Sequence, residues 1–106
     1  MIYRHGDVVL TTDAVIPVGA KEIKPRAVAG KVGHILAEGE VTGHAHRIDP
    51  ECEVTMYEKD GKTYLSVKEE APLTHEEHHT IDLPAGDYSW QIQREYEPDG
   101  WREVAD

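Results

Sequence analysis

Apolar residues along this chain come in short alternating runs, and the clearest run folds back on itself. Val54, Met56, Leu65 and Val67 alternate with Thr55, Tyr57, Tyr64 and Ser66 on either side of Asp60-Gly61. Asp-Gly supplies the two positive-φ positions of a type I′ turn. Closing the chain on that turn pairs Tyr57 with Tyr64, Met56 with Leu65, Thr55 with Ser66, Val54 with Val67 and Glu53 with Lys68. Apolar then meets apolar, hydroxyl meets hydroxyl and acid meets base, so the register is self-consistent. Val54, Met56, Leu65 and Val67 form its predicted core face.

A second alternation runs from Asp87 to Glu97, with Tyr88, Trp90, Ile92 and Tyr96 on one face and Ser89, Gln91, Gln93 and Glu95 on the other. Elsewhere turn formers recur roughly every eight to twelve residues, from Gly6-Asp7 through Pro84/Gly86 to Pro98-Asp99-Gly100, with short strands between them. This spacing predicts an all-β fold, either a small barrel or a two-sheet antiparallel β-sandwich. The period changes only between Pro72 and Thr80. There Thr74-His75-Glu76-Glu77 reads as a capping box and predicts one short helical turn, the only helix expected.

With 106 residues and 39% apolar content the chain suits one domain over 1–106. No apolar run is long enough to span a bilayer, and the N-terminus lacks a signal-peptide pattern. The single cysteine, Cys52, excludes an intramolecular disulfide framework and makes a cytoplasmic setting the default, without excluding a phage particle or a secreted one. Cys52 shares parity with Val54 and Met56 and reads as a small core residue. Twenty-one acidic residues against eleven basic ones give a formal charge of −10. Such a chain is repelled by phosphate backbones and anionic lipid, so nucleic acid and membrane are not expected partners. No Gly-x-Ser-x-Gly elbow or phosphate-binding glycine loop is present, and Ser66 and Ser89 lie in strands without a nearby base.

Seven histidines are what the composition leaves to explain. His44 and His46 lie two apart, so on a strand they point to one side, roughly 7 Å apart, where two imidazoles can converge on one ion. A transition-metal site needs three ligands or more. His75, His78 and His79 can supply them, falling on one side of a helical turn at i, i+3 and i+4. The same residues also read as solvated or hydrogen-bonded side chains. His5 reads as an ordinary exposed polar residue, and His34, on the strand Val32-Gly33-His34-Ile35-Leu36, as a buried, hydrogen-bonded core histidine.

Gly39, His44, His46, Glu51 and Gly61 resemble the first motif of the cupin superfamily, and Pro84 with Gly86 resembles the Pro-x-Gly of the second. The similarity spans roughly residues 31–92. The resemblance implies a double-stranded β-helix barrel holding a metal. Ser89 stands where the second motif places its metal-binding histidine, so the third and fourth ligands would come from His75, His78 or His79. The C-terminal segment from Gln93 to Asp106 is similar to the ends of short bacterial and phage proteins, a likeness that carries no activity.

The expected function is binding of a divalent transition metal, zinc preferred and Fe, Mn or Ni as alternatives, with a small-molecule ligand and a homo-oligomer left open. The second reading is a non-enzymatic structural or interaction module of phage origin, in which the histidines are hydrogen-bonding and the exposed edges and tyrosine face of the hairpin form the assembly surface. A third is a pH-responsive protein: protonating all seven histidines takes the formal charge from −10 to −3.

Overall fold

The computed structural model describes residues 1–39, 43–97 and 100–103, the stretches 94–97 and 100–103 through their backbone. Thirteen strands follow one another: β1 (Ile2–His5), β2 (Val8–Thr12), β3 (Lys21–Ile23), β4 (Arg26–Val28), β5 (Lys31–Glu38), β6 (Ala45–Ile48), β7 (Val54–Lys59), β8 (Lys62–Val67), β9 (Ala71–Thr74), β10 (Ile81–Leu83), β11 (Gly86–Ile92), β12 (Arg94–Glu97) and β13 (Gly100–Glu103). One sheet has the order β1-β2-β11-β8-β7-β3, the other β10-β9-β6-β5-β4, and β12 pairs with β13 alone. All pairings are antiparallel. Of the two predicted architectures, the protein has the two-sheet sandwich; the sheets do not close into a barrel. No helix occurs among the described residues, so none there is long and apolar enough to cross a membrane.

The predicted hairpin is present in the expected register from Val54↔Val67 to Lys59↔Lys62. Asp60 and Gly61 hold φ of 53° and 77°, the left-handed pair that a type I′ turn requires. The Lys68 N–H bonds the Glu53 carbonyl, extending the ladder one step further.

Between the sheets, Val8, Leu10, Met56, Leu65, Tyr88 and Trp90 from one side meet Leu36, Ile48, Leu73 and Leu83 from the other. At Leu36 the register of β5 against β6 slips by one residue, a bulge that leaves Ile35, Leu36 and Ala37 buried in succession. Ile35 turns outward to pack on Val28 and Ala45, while Leu36 and Ala37 enter the main core. The Trp90 indole N–H donates to the Leu36 carbonyl at 3.2 Å, joining the two sheets across the apolar interior.

Two expectations need correction. The capping box at Thr74 is not a helical turn: β9 runs through Thr74 and residues 76–78 form a bend. Sheet pairing wins because Arg47↔Thr74 and Ile48↔Leu73 give this segment a ladder. The strand predicted over 87–97 is two strands, broken at Gln93, whose N–H donates to the Asp7 carbonyl at 2.7 Å. The facing of Tyr96 and residues 98–99 of the last turn signal lie outside the described residues.

Candidate metal centre

The period-two rule of a strand carries core residues inward at every second position, and at one end of the sandwich those positions become histidines. In β1, Tyr3 packs on the core and His5, two residues on, follows it inward, opposite the fully buried Val8. In β6 the inward pair is Ile48 and His46. In β9, Ala71 and Leu73 are buried and His75 continues the alternation just past the strand. Continuing the β6–β9 register from Arg47↔Thr74 sets His46 opposite His75. His78 reaches the same place from the bend that follows.

The resulting cluster is tight. Ring centroids of His46 lie 4.4 Å from His75, 4.9 Å from His5 and 5.7 Å from His78. His46, His75 and His78 each offer a ligand atom, all within 4.8 Å of one another. No hydrogen-bond partner for His78 Nε2 occurs among the described residues. His46 is 0% exposed, Asp7 1% and His5 2%.

A line of contacts runs from the His79 carbonyl to His5 Nε2 (2.9 Å), from His5 Nδ1 to His46 Nδ1 (2.8 Å), and from His46 Nε2 to Asp7 Oδ1 (3.1 Å). The His5–His46 contact requires one proton, or another cation, between its two lone pairs. Burial, with His46 next in weight, holds the His5 imidazole down to about 4 against an ordinary 6.5. At neutral pH His5 is therefore neutral and keeps a ring lone pair.

The wall of the cluster is made from close backbone. The Gly6-Asp7 turn between β1 and β2 places Gly6 at φ 61°, the positive-φ first position of a type II′ pattern. A Cβ on Gly6 would lie 2.6 Å from His78 Nε2 and 2.9 Å from His46 Cε1, so a side chain there collides with both rings. On the other flank, Glu76 is held by the Ala45 N–H at 2.9 Å and by Arg47 Nη2 at 3.3 Å. Burial pushes the Glu76 carboxyl up, but the bond from Ala45 and the nearby Arg47 outweigh it and bring it below its ordinary range. Arg47 also reaches the Val28 and Lys31 carbonyls, fixing the bend to the β4–β5 turn.

His44 stands one residue before β6, its ring 5.6 Å from that of His75, and forms a second ligand group with His75 and Glu76. His75 thus belongs to both groups. Its Nδ1 accepts the Glu77 N–H at 3.0 Å, which leaves the ring proton on Nε2 while His75 is neutral. Coordination through Nε2 then expels that proton or moves it to Nδ1 at the expense of the Glu77 bond.

Of the histidines singled out in the sequence, His44, His46, His75 and His78 come together. His79 does not: its ring is exposed, and its contribution is the carbonyl that fixes His5. Glu51 sits exposed on the turn after β6, its N–H bonded to Asp49 Oδ1, away from the cluster. Cys52 packs partly against the core, and burial pushes its thiol up. His34 is buried as expected, yet neither ring nitrogen has a hydrogen-bond partner among the described residues, contrary to the expectation of a bonded core histidine.

His5 and Asp7 were not foreseen. The reading of His5 as exposed is wrong, because a two-residue turn at Gly6-Asp7 pairs His5 with Val8 and commits it to the core face. That pairing was the signal available in the sequence.

The model of one protein family, described as Domain of unknown function (DUF8820), matches residues 4–93. The chain belongs to this family. The DUF8820 match takes in every histidine of the cluster together with Asp7, and ends where the β12–β13 hairpin begins. No curated protein and no solved structure matches the chain.

Proposed function

We propose that this protein binds one divalent transition-metal ion at the end of the sandwich, through His46, His75 and His78, with His5 as fourth ligand. The observation that carries this reading is the convergence of ligand atoms of His46, His75 and His78 within 4.8 Å of one another, with His5 Nδ1 at 2.8 Å from His46 Nδ1. Imidazole donors suit zinc first, with Fe, Mn and Ni as alternatives. Zinc–nitrogen bonds of about 2.0–2.1 Å in a tetrahedron set ligand nitrogens ~3.3 Å apart. The 2.8 Å between His5 and His46 would thus open by about half an ångström on loading. Four protein ligands make a closed site, the kind that supplies folding energy and leaves no open position for a substrate. The ion would tie the β1–β2 turn of one sheet to β6 and the 75–79 bend of the other. A reducing, cytoplasmic setting suits this reading, since Cys52 has no disulfide partner within the chain.

The test is metal analysis of protein purified without added chelator, followed by zinc titration of the stripped protein. Near-stoichiometric metal in the wild type, abolished in His46→Gln, is the expected outcome. A wild type that neither retains nor takes up metal removes the reading.

A second reading is favoured by the Asp7 contact alone: His46 is an imidazolium paired with Asp7, and the seven histidines are hydrogen-bonding and structural. Nitrogen-15 shifts of His46 separate the two. Two protonated ring nitrogens at neutral pH belong to the imidazolium, whereas a metal-dependent shift of one nitrogen belongs to the metal site.

A further inference from the structure

The two ligand groups differ in how much water reaches them. The inner one contains His46, which is wholly buried, whereas the outer one has side chains still wetted, His44 at 22% and Glu76 at 28% exposure. His75 is common to both. His44 Nδ1 has no hydrogen-bond partner among the described residues, and lies 3.7 Å from Glu77 Oε1, so two carboxylates, Glu76 and Glu77, border this mouth. Glu76 is held in place by Ala45 and Arg47, leaving carboxylate lone pairs beyond those two bonds.

Resting on the metal reading above, we infer that His44, His75 and Glu76 form a transit position through which the ion reaches and leaves the buried set. A hydrated dication loses water reluctantly, and shedding all of it at once on the way to a dry site is expensive. A surface carboxylate and an imidazole replace the first waters while the ion is still wetted. The ion then exchanges His44 and Glu76 for His46 and His78 while remaining bound to His75. At no point does it stand without protein ligands, and the only by-products are released water and the displaced ring proton. Because His75 is a single shared ligand, the two positions are used in turn and one ion is held per chain.

Stopped-flow uptake of Co²⁺, read by its absorption, and its release to excess chelator test this on the full chain. In His44→Gln the rates of uptake and release should fall by the same factor, on the order of tenfold, with affinity and stoichiometry unchanged. Glu76→Gln, which keeps an acceptor for the Ala45 N–H, should do the same, and guards against a local defect peculiar to one variant. Weakened affinity with an unchanged uptake rate would make His44 a resident ligand and overturn the inference. So would unchanged kinetics in both variants, or two ions per wild-type chain. These outcomes leave the buried site standing; only a wild type without metal removes both.

Discussion

The inner face of β6 meets a buried histidine at each end, and the two are treated differently. At its N-terminal end His46 lies among three other imidazoles, with Asp7 and His5 on its two nitrogens. At its C-terminal end, opposite Ile48, His34 is 6% exposed, with no hydrogen-bond partner among the described residues for either nitrogen. Burial lowers the pKa of His34 and of His5 alike, with Asp49 and Glu22 offsetting the effect at His34. Burial and depressed basicity are thus common to both ends. What distinguishes the cluster is mutual placement, several ring nitrogens and a carboxylate brought close to one another.

Removing the metal should have the largest effect. Free zinc at ~1,000 times its Kd stabilises by about 4 kcal/mol, which for a domain of this size corresponds to a rise in Tm of roughly 15 °C or more. Calorimetry before and after chelation should show that difference in the wild type and none in His46→Gln. A Leu65→Ala cavity in the apolar middle of the sandwich should lower stability by about 2–5 kcal/mol. Urea melts with and without zinc should give the same decrement, because Leu65 lies on β8 between Met56 and Tyr88, on strands that carry no histidine.

The metal-free protein should also be sensitive to acid. His5 titrates at about 4 when folded and near 6.5 when unfolded, so the unfolded chain takes up the proton first as pH falls. Its contribution is full above about 6.5, is lost progressively toward 4 and declines no further below that. The loss from this one group is up to ~3 kcal/mol, and urea midpoints of His5→Gln across the same pH range should be correspondingly flatter. His34 acts in the same direction.

Replacing His34 by Leu should sharpen the contrast. It removes buried nitrogens without bonding partners while keeping similar volume, so stability should be unchanged or higher by about 1 kcal/mol, with metal stoichiometry intact. A loss of metal in His34→Leu would break the comparison. The smallest effect is expected for His79→Gln, which leaves the carbonyl in place; unfolding should shift by no more than about 0.5 kcal/mol.

Much of this was readable in the sequence. Alternation and Asp60-Gly61 specified the β7–β8 register, because side-chain parity and turn chemistry agree there. The His44/His46 and His75/His78 groups were visible as spacings, but their convergence depends on β6 pairing with β9, a long-range contact that spacing does not encode. The helical turn failed because a local capping pattern at Thr74 competes with a ladder contributed by β6. His5 was misread by treating it alone rather than as the partner of Val8 across Gly6-Asp7. The open sandwich, against the barrel alternative, depends on how the edge strands end.

The bulge at Leu36 sets a limit on how this family can vary in length. It acts as a frame-shift in the alternation of faces: His34 and Ala37 both look inward although they lie three positions apart. Deleting Leu36 would restore plain alternation, with His34 and Ala37 still inward and Ile35 and Glu38 still outward. A one-residue deletion elsewhere in β5 would instead turn every position on one side of it through to the opposite surface. Losing Leu36 would still remove an apolar core side chain and the carbonyl that receives Trp90. Insertions and deletions should therefore collect in the turns or at the bulge itself, so a one-residue gap at Leu36 when other members are aligned would mark a member without the bulge.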